Sequence, residues 1–320
     1  MSLGKPPQSA LRRPASPQFR RVRARGAAEE TPPPASARSR IAAKPRTVID
    51  ARRRGRISFG ELWRFREVLY HLVLRNVKLR YKQTFFGIAW ALLQPGVMAL
   101  AFTIFVRGLH REGHSGLPYP LFAYSGLTLW LLFAGGLGQA AGSVVGSQHL
   151  ITKIYFPRLF IPWAAIAVGV IDWIVATVCV VPVTIYLGLP LSSQCWAVPL
   201  AGLVAAAAAC ALGTLLASLN VIYRDFQNIV PFLIQVFMFA TPAIYLDLPR
   251  GATADSWSEL IAWISAVNPL AAAIHFQRAA LFGGALPWGE LGRAAVAVTI
   301  LLVLVSWYFV WAEERFPDVV

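Results

Sequence analysis

Asp172 is the one charged side chain in six long apolar runs, at 86–106, 119–146, 159–187, 197–219, 226–246 and 294–312. A carboxylate left in lipid costs at least about 2.5–3.5 kcal/mol, so this one must face protein or water. It either lines a path through the membrane or bonds a neighbouring helix. No other grouping of side chains is armed for chemistry. The chain has no G-x-x-x-x-G-K-[ST] string whose backbone could cradle the phosphates of a nucleotide. Its cysteines (Cys179, Cys195, Cys210) are scattered without metal-ligand spacing, and the acids of its loops are not paired as a catalytic dyad. The sequence therefore predicts no catalytic residue, no metal and no cofactor held by this chain.

The apolar runs themselves say what positions these residues. A run of about 18 residues or more is long enough to cross a hydrocarbon core of about 30 Å. The sequence predicts an all-α polytopic membrane protein with six transmembrane helices at those runs, within one transmembrane domain over 85–315. Composition agrees: 57% of residues are hydrophobic and only 14% charged. Prolines recur inside the runs (Pro95, Pro162, Pro182, Pro231, Pro242), which membrane helices tolerate when neighbours re-satisfy the freed backbone groups. Nothing apolar precedes Ile57, so the first span is expected to double as the insertion signal.

Charge sets the orientation. Of 30 Lys and Arg residues, 21 precede Phe86, against five of the 15 acids. Basic flanks stay in the cytoplasm, which puts the amino terminus, the loop 147–158, the loop 220–225 and the carboxyl terminus inside. Residues 1–57 mix Pro, Ala, Ser and Arg and cannot bury enough surface to offset the entropy of ordering. They read as a disordered basic tail held against anionic lipid headgroups. Nucleic acid is not an expected partner, because the tail has neither a fold nor stacking aromatics.

Ser58 and Glu61 have capping-box spacing, and Leu62, Phe65, Leu69, Val73 and Val77 then recur on one side of a helix. Residues 58–84 are expected to form an amphipathic helix in the membrane interface, serving as an anchor or also as a docking surface. Small residues at four-residue spacing, Gly138, Gly142 and Gly146 on the second span and Ala205, Ala209 and Gly213 on the fourth, are expected to pack inside the bundle. Between the fifth and sixth spans, residues 258–284 are apolar but broken at Asn268-Pro269 and ended by Gly283-Gly284. Each half is too short to cross, which fits a re-entrant hairpin on the outer side. A seventh span from 260 to 282 is the rival.

Six strings, taken together, carry a resemblance: VKLRYKQTFFGIAWALLQP (77–95), LPYPLFAYSGLTLW (117–130), HLITKIYFPR (149–158), LNVIYRDFQNIVPFLIQ (219–235), TPAIY (241–245) and NPLAAAIHFQRAALFG (268–283). In order and spacing, from Phe59 to Trp311, the chain resembles the permease subunit of bacterial polysaccharide-export ABC transporters. It departs from that pattern at Phe86, where Leu is usual, at Ile222, where Arg is common, and at Gln277 and Ala279, where aromatics are usual. The tail has no counterpart.

The resemblance implies a type-2 ABC exporter in the inner membrane that moves a lipid-linked O-antigen-, capsule- or teichoic-type polymer out of the cytoplasm. It implies a homodimer with two separate ATPase subunits, which bind the ATP and Mg, and contacts with polysaccharide and membrane lipid. A small-molecule or lipid exporter, and less so a membrane-embedded transferase, stay as alternatives. In that family the cytoplasmic loop between spans two and three docks in a groove of the ATPase. His149, Lys153, Ile154, Tyr155, Phe156 and Arg158 are the matching residues, although an interfacial aromatic belt explains the same residue types. A polymer path is expected to use aromatic faces against sugar C–H groups. Trp90, Tyr124, Trp130, Trp163 and Trp173 are the candidates, with Asp172 beside them.

Topology gives the first test. Cysteine labelling is expected to place Ser115, Ser193 and Asp255 outside and Lys153, Asn228 and Asp318 inside. A carboxyl terminus labelled from outside would replace the hairpin by a seventh span.

Overall fold

The computed structural model describes residues 59–82, 84–106, 117–151, 156–189, 191–223, 225–244 and 267–313. Every regular element among them is a helix. Two helices precede the apolar runs, α1 (Phe59–Arg64) and α2 (Arg66–Tyr81). They are followed by α3 (Trp90–Val106) and α4 (Tyr119–Ser143). After the short α5 (Gln148–Ile151) come α6 (Phe160–Val178) and α7 (Val180–Tyr186), which continue one another across Cys179. Then follow α8 (Val198–Ile222), α9 (Phe226–Ala240), α10 (Pro269–Phe282) and α11 (Trp288–Glu313). The tail 1–57 and Ser58 of the capping pair lie outside the described residues.

Among the described residues, five helical stretches are long and apolar enough to cross a membrane: Gly87–Phe105, Tyr119–Ser143, Phe160–Tyr186, Cys195–Ile222 and Trp288–Glu313. The fifth expected span, 226–246, is shorter than its apolar run. Its helix α9 ends at Ala240, because Pro242 forces Thr241 into extended backbone (φ −116°, ψ 126°). At 15 residues it reaches about 22 Å, less than the hydrocarbon thickness. The last span, expected at 294–312, starts six residues earlier at Trp288 and so takes in Glu290 and Arg293. Those charges stay at the helix end, with Glu290 3.6 Å from His275 on α10.

The centre of the bundle is α4, packed against α6 and α8. Leu127, Leu129, Leu137 and Ala140 of α4 are fully buried, as are Ala201, Ala205 and Ala209 of α8. Small residues permit the approach: a methyl on Gly213 would lie 2.7 Å from the Ala140 Cβ, and one on Gly136 would meet Ile166 and Ala209. The expected α8 stripe is thus buried, and Asn220 at its inner end donates to the Ala141 carbonyl at 2.9 Å. The α4 stripe is not. Gly138, Gly142 and Gly146 are exposed, and nothing lies within 4 Å of a methyl placed on the last two. The large side chains Leu129, Phe133 and Leu137 choose the core face of α4, and the glycines fall on the other one.

The amphipathic segment forms two helices broken at Phe65 rather than one, and part of its apolar face packs on protein. Leu62, Phe65, Val68, Leu69 and Leu72 pack on a second core of Val144, Phe156, Leu159, Phe160, Ile161, Ala217, Val221, Phe309 and Ala312. This core gathers the inner ends of four apolar helices. α3, by contrast, is held by a single stripe, Ala91, Pro95, Ala99 and Thr103, while Val97, Leu100, Ile104 and Phe105 face outward.

The tightest approach lies at Gly126 of α4, where a methyl would fall 2.2 Å from the Ala243 carbonyl oxygen. Gly126→Ala is expected to cost about 1–3 kcal/mol by overpacking, read as a lower melting midpoint of the detergent-purified protein. Gly142→Ala is expected to melt as the parent does. Equal midpoints for the two variants would refute the packing.

Candidate functional site

The described helices place polar side chains at three levels of the bundle. At the first level the chain breaks out of α9 through Thr241-Pro242, which leaves carbonyls without helical partners. Pro269 supplies the preset first turn of α10, and Asn268 caps it, its Oδ1 accepting from the Leu270 N–H at 2.9 Å. The other end of the same amide donates to the Ala240 carbonyl (3.1 Å) and to Thr241 Oγ1 (2.8 Å). Arg278 stacks 3.6 Å over the Phe122 ring and donates to the carbonyls of Pro242 (3.1 Å), Ala243 (2.8 Å) and Phe122 (3.3 Å). Tyr119 donates to the Ile244 carbonyl at 2.9 Å. The end of α9 is therefore tied to α4 and α10.

One helical level further in, Gln277 is completely buried. Its Oε1 accepts from Trp173 Nε1 at 3.0 Å, and its Nε2 donates to the Ser125 carbonyl (2.9 Å) and to Thr128 Oγ1 (3.0 Å). One amide so joins α10 to α4 and α6.

The third level is Asp172 on α6. One carboxylate oxygen lies 2.7 Å from Arg80 Nη2, and the other accepts the Tyr81 hydroxyl. Burial first, then the adjacent carboxylate, push the Tyr81 phenol up to about 12, so it stays protonated and donating at neutral pH. Asp172 is an inter-helix partner in this fold.

The aromatic candidates are dispersed. Trp130 is 2% exposed and packs on Phe133, and Trp173 lies with its ring where a methyl on Gly202 would collide. Both are committed to the interior of the chain, because small neighbours leave room for whole indoles. Neither is available as a lining residue in this arrangement. Tyr124 donates to the Ala176 carbonyl at 3.2 Å. Trp163 is half-buried against the inner core, and its Nε1 has no hydrogen-bond partner among the described residues. Trp90 is the outward one, 47% exposed, with Phe86 edge-on at 5.6 Å.

The loop candidates are likewise divided. His149 is exposed on α5. Lys153, Ile154 and Tyr155 lie outside the described residues. Phe156 is 6% exposed and belongs to the inner core, where it cannot fill a groove on another protein. Its apolar ring is drawn there by Phe160, Phe309 and Val221. Arg158 Nε lies 3.1 Å from Glu313 Oε1, which fastens the loop to the end of α11. The residues that organise these sites most, Arg80, Tyr81, Asn268, Gln277 and Arg278, were not candidates. Polar residues interrupting apolar runs were the available signal for the last three.

No group of three or more His, Cys, Asp or Glu side chains suited to a metal occurs among the described residues. Apolar helices of crossing length, joined through buried polar contacts, define a multi-pass membrane protein. The chain belongs to the ABC-2 type transporter family, whose model matches residues 67–282. Over 263 residues it is 28% identical to the O-antigen export system permease protein RfbA of Myxococcus xanthus, covering 81% of this chain and 97% of that protein. Over 258 residues it is 24% identical to the protein of the same name from Klebsiella pneumoniae, covering 79% and 95%.

Gln277→Leu is expected to orphan the buried Trp173 N–H and to cost about 1–3 kcal/mol. Adding Trp173→Phe removes the orphan donor and is expected to recover part of that loss. Thermal midpoints of both variants check this, and a double variant worse than the sum of the singles would contradict it.

Proposed function

We propose that this chain is the permease of an ATP-driven exporter that carries a polysaccharide, of the lipid-linked O-antigen, capsule or teichoic type, from the cytoplasm across the inner membrane. The observation that carries this reading is near end-to-end similarity to two O-antigen export permeases, covering 97% and 95% of their lengths. The working assembly is a twofold pair of permeases with two ATPase subunits, which bind the ATP and Mg. Each permease crosses six times with both termini in the cytoplasm, and α9 with its capped end serves as the fifth crossing. The segment 258–284 is the outer re-entrant hairpin, with α10 as its second half. In support, Arg278 of α10 is engaged by carbonyls of the α9 break, which ties the two segments together.

Energy enters through the loop 147–158. Tyr155, with Lys153 and His149 beside it, is the aromatic offered to the ATPase, while Phe156 anchors the loop's return to the inner core. The assignment separates two neighbouring residues by experiment. Tyr155→Ala is expected to weaken ATPase pull-down by about 2 kcal/mol, roughly 30-fold, with normal permease stability. Phe156→Ala is expected to lower stability by about 3–5 kcal/mol through the cavity it leaves. Pull-down, melting midpoint and surface polysaccharide are measured on each. If Tyr155→Ala binds ATPase and exports normally, the docking site lies elsewhere.

A further inference from the structure

α3, the first span, is packed mostly through a stripe of small residues, with Met98 and Phe102 partly buried against the main core. Eight residues, 82–89, lead from α2 to the start of α3, and the last two residues of α2 are Arg80 and Tyr81. Both hold Asp172, which lies 12 residues into α6, about 18 Å from its start. The other end of α2 packs on the inner core that contains Phe156, Leu159 and Phe160, where the loop becomes α6. So α2 is fixed to α6 at both ends: by apolar contact at the inner end, and by a two-pronged polar contact where the chain turns into α3.

Each prong has its own geometry. The guanidinium supplies charge to one oxygen, and the phenol supplies a hydrogen bond to the other, so both oxygens of the carboxylate are used. A single contact would let α2 pivot about it. Two contacts from consecutive residues fix its rotation as well as its distance. We infer that Arg80, Tyr81 and Asp172 form a positioning lock that makes the first span follow the third when the ATPase pushes on the loop 147–158. The three residues touch no substrate and act through the placement of α3. This inference rests on the export reading proposed above.

The test uses the full permease–ATPase complex in proteoliposomes. Polymer exported and ATP hydrolysed are measured together, so that their ratio is read alongside complex recovery. Arg80→Asp places two carboxylates against each other and is expected to lower the polymer-to-ATP ratio roughly tenfold or more. The ATPase should still bind and hydrolyse. Arg80→Asp with Asp172→Arg restores the attraction in reverse and is expected to recover most of the ratio. Tyr81→Phe, which removes one prong without adding charge, is expected to lower it about twofold.

A merely structural pair would lower complex recovery and leave the ratio of the recovered complex at the parent value. That result for Tyr81→Phe and Arg80→Asp overturns the lock. If Arg80→Asp does not insert, the double reversal and Tyr81→Phe decide alone: recovery of insertion by the reversal with a parental ratio in Tyr81→Phe also overturns it. Failure of the export reading is a different outcome, in which the parent complex hydrolyses ATP and moves no polysaccharide at all.

Discussion

Every polar group inside this bundle has to find its partner in the protein, because lipid offers none. Lipid also gives no hydrophobic drive to press one apolar helix on another, so association rests on close backbone approach and on inter-helix hydrogen bonds. The chain uses both at the same places. Gly126 lets α4 approach the Ala243 carbonyl, and there Arg278 delivers its guanidinium to that same oxygen. Gly202 makes room for Trp173, whose N–H then reaches Gln277. A glycine admits the bulky partner and a polar atom fixes its direction.

That pairing divides the molecule by rigidity. α4, α6, α8 and α10 share buried amides and small-residue contacts, so a shift in one strains the others. α9 buries only Val230 among its side chains, and α3 only its narrow stripe. Their outward faces, with Phe232, Val236 and Phe239 on one and Val97, Leu100 and Ile104 on the other, are apolar and cost nothing in lipid. Their other faces pack on the main core through Met98 and Phe102 of α3 and Leu233, Ile234 and Phe237 of α9, and polar contacts near their ends add direction: Asn268 and Arg278 for α9, and Arg80 with Tyr81 for α3.

Most of the helical architecture was legible in the sequence, since uncharged runs of this length have few alternatives. Four expected spans match crossing-length helices closely, and the Asn268-Pro269 break falls where α10 begins. Boundaries failed where local chemistry overrode hydropathy. Pro242 ended α9 inside an apolar run, and α11 began before its run did because Glu290 tolerates a helix end. Facing was less legible still. Spacing puts Gly138, Gly142 and Gly146 on one face but does not say which face meets a partner; Leu129, Phe133 and Leu137 decide that. The surroundings of the aromatic candidates were hard to read for a related reason. Trp130 and Trp173 share a residue type with a sugar-stacking lining, and only the room left by Gly202 shows that one of them is interior. Asp172 was visible as the lone intramembrane charge, but its partners sit some 90 residues away in a segment read as a surface anchor.

The second core gathers the ends of four helices around the point where the loop 147–158 becomes α6. Phe156 and Arg158 bind the end of the loop to α11 through Phe309 and Glu313, and to α8 through Val221. Under the proposed coupling, a displacement delivered to this point reaches the ends of four helices together. At the opposite ends of the helices the main core continues through Leu121, Ala123, Ala197, Val198, Leu281 and Leu291, with Ala243 of the α9 break packed among them. Both ends of the bundle are therefore closed by buried apolar side chains, and the capped carbonyls at the α9 break add direction to contacts that packing already makes.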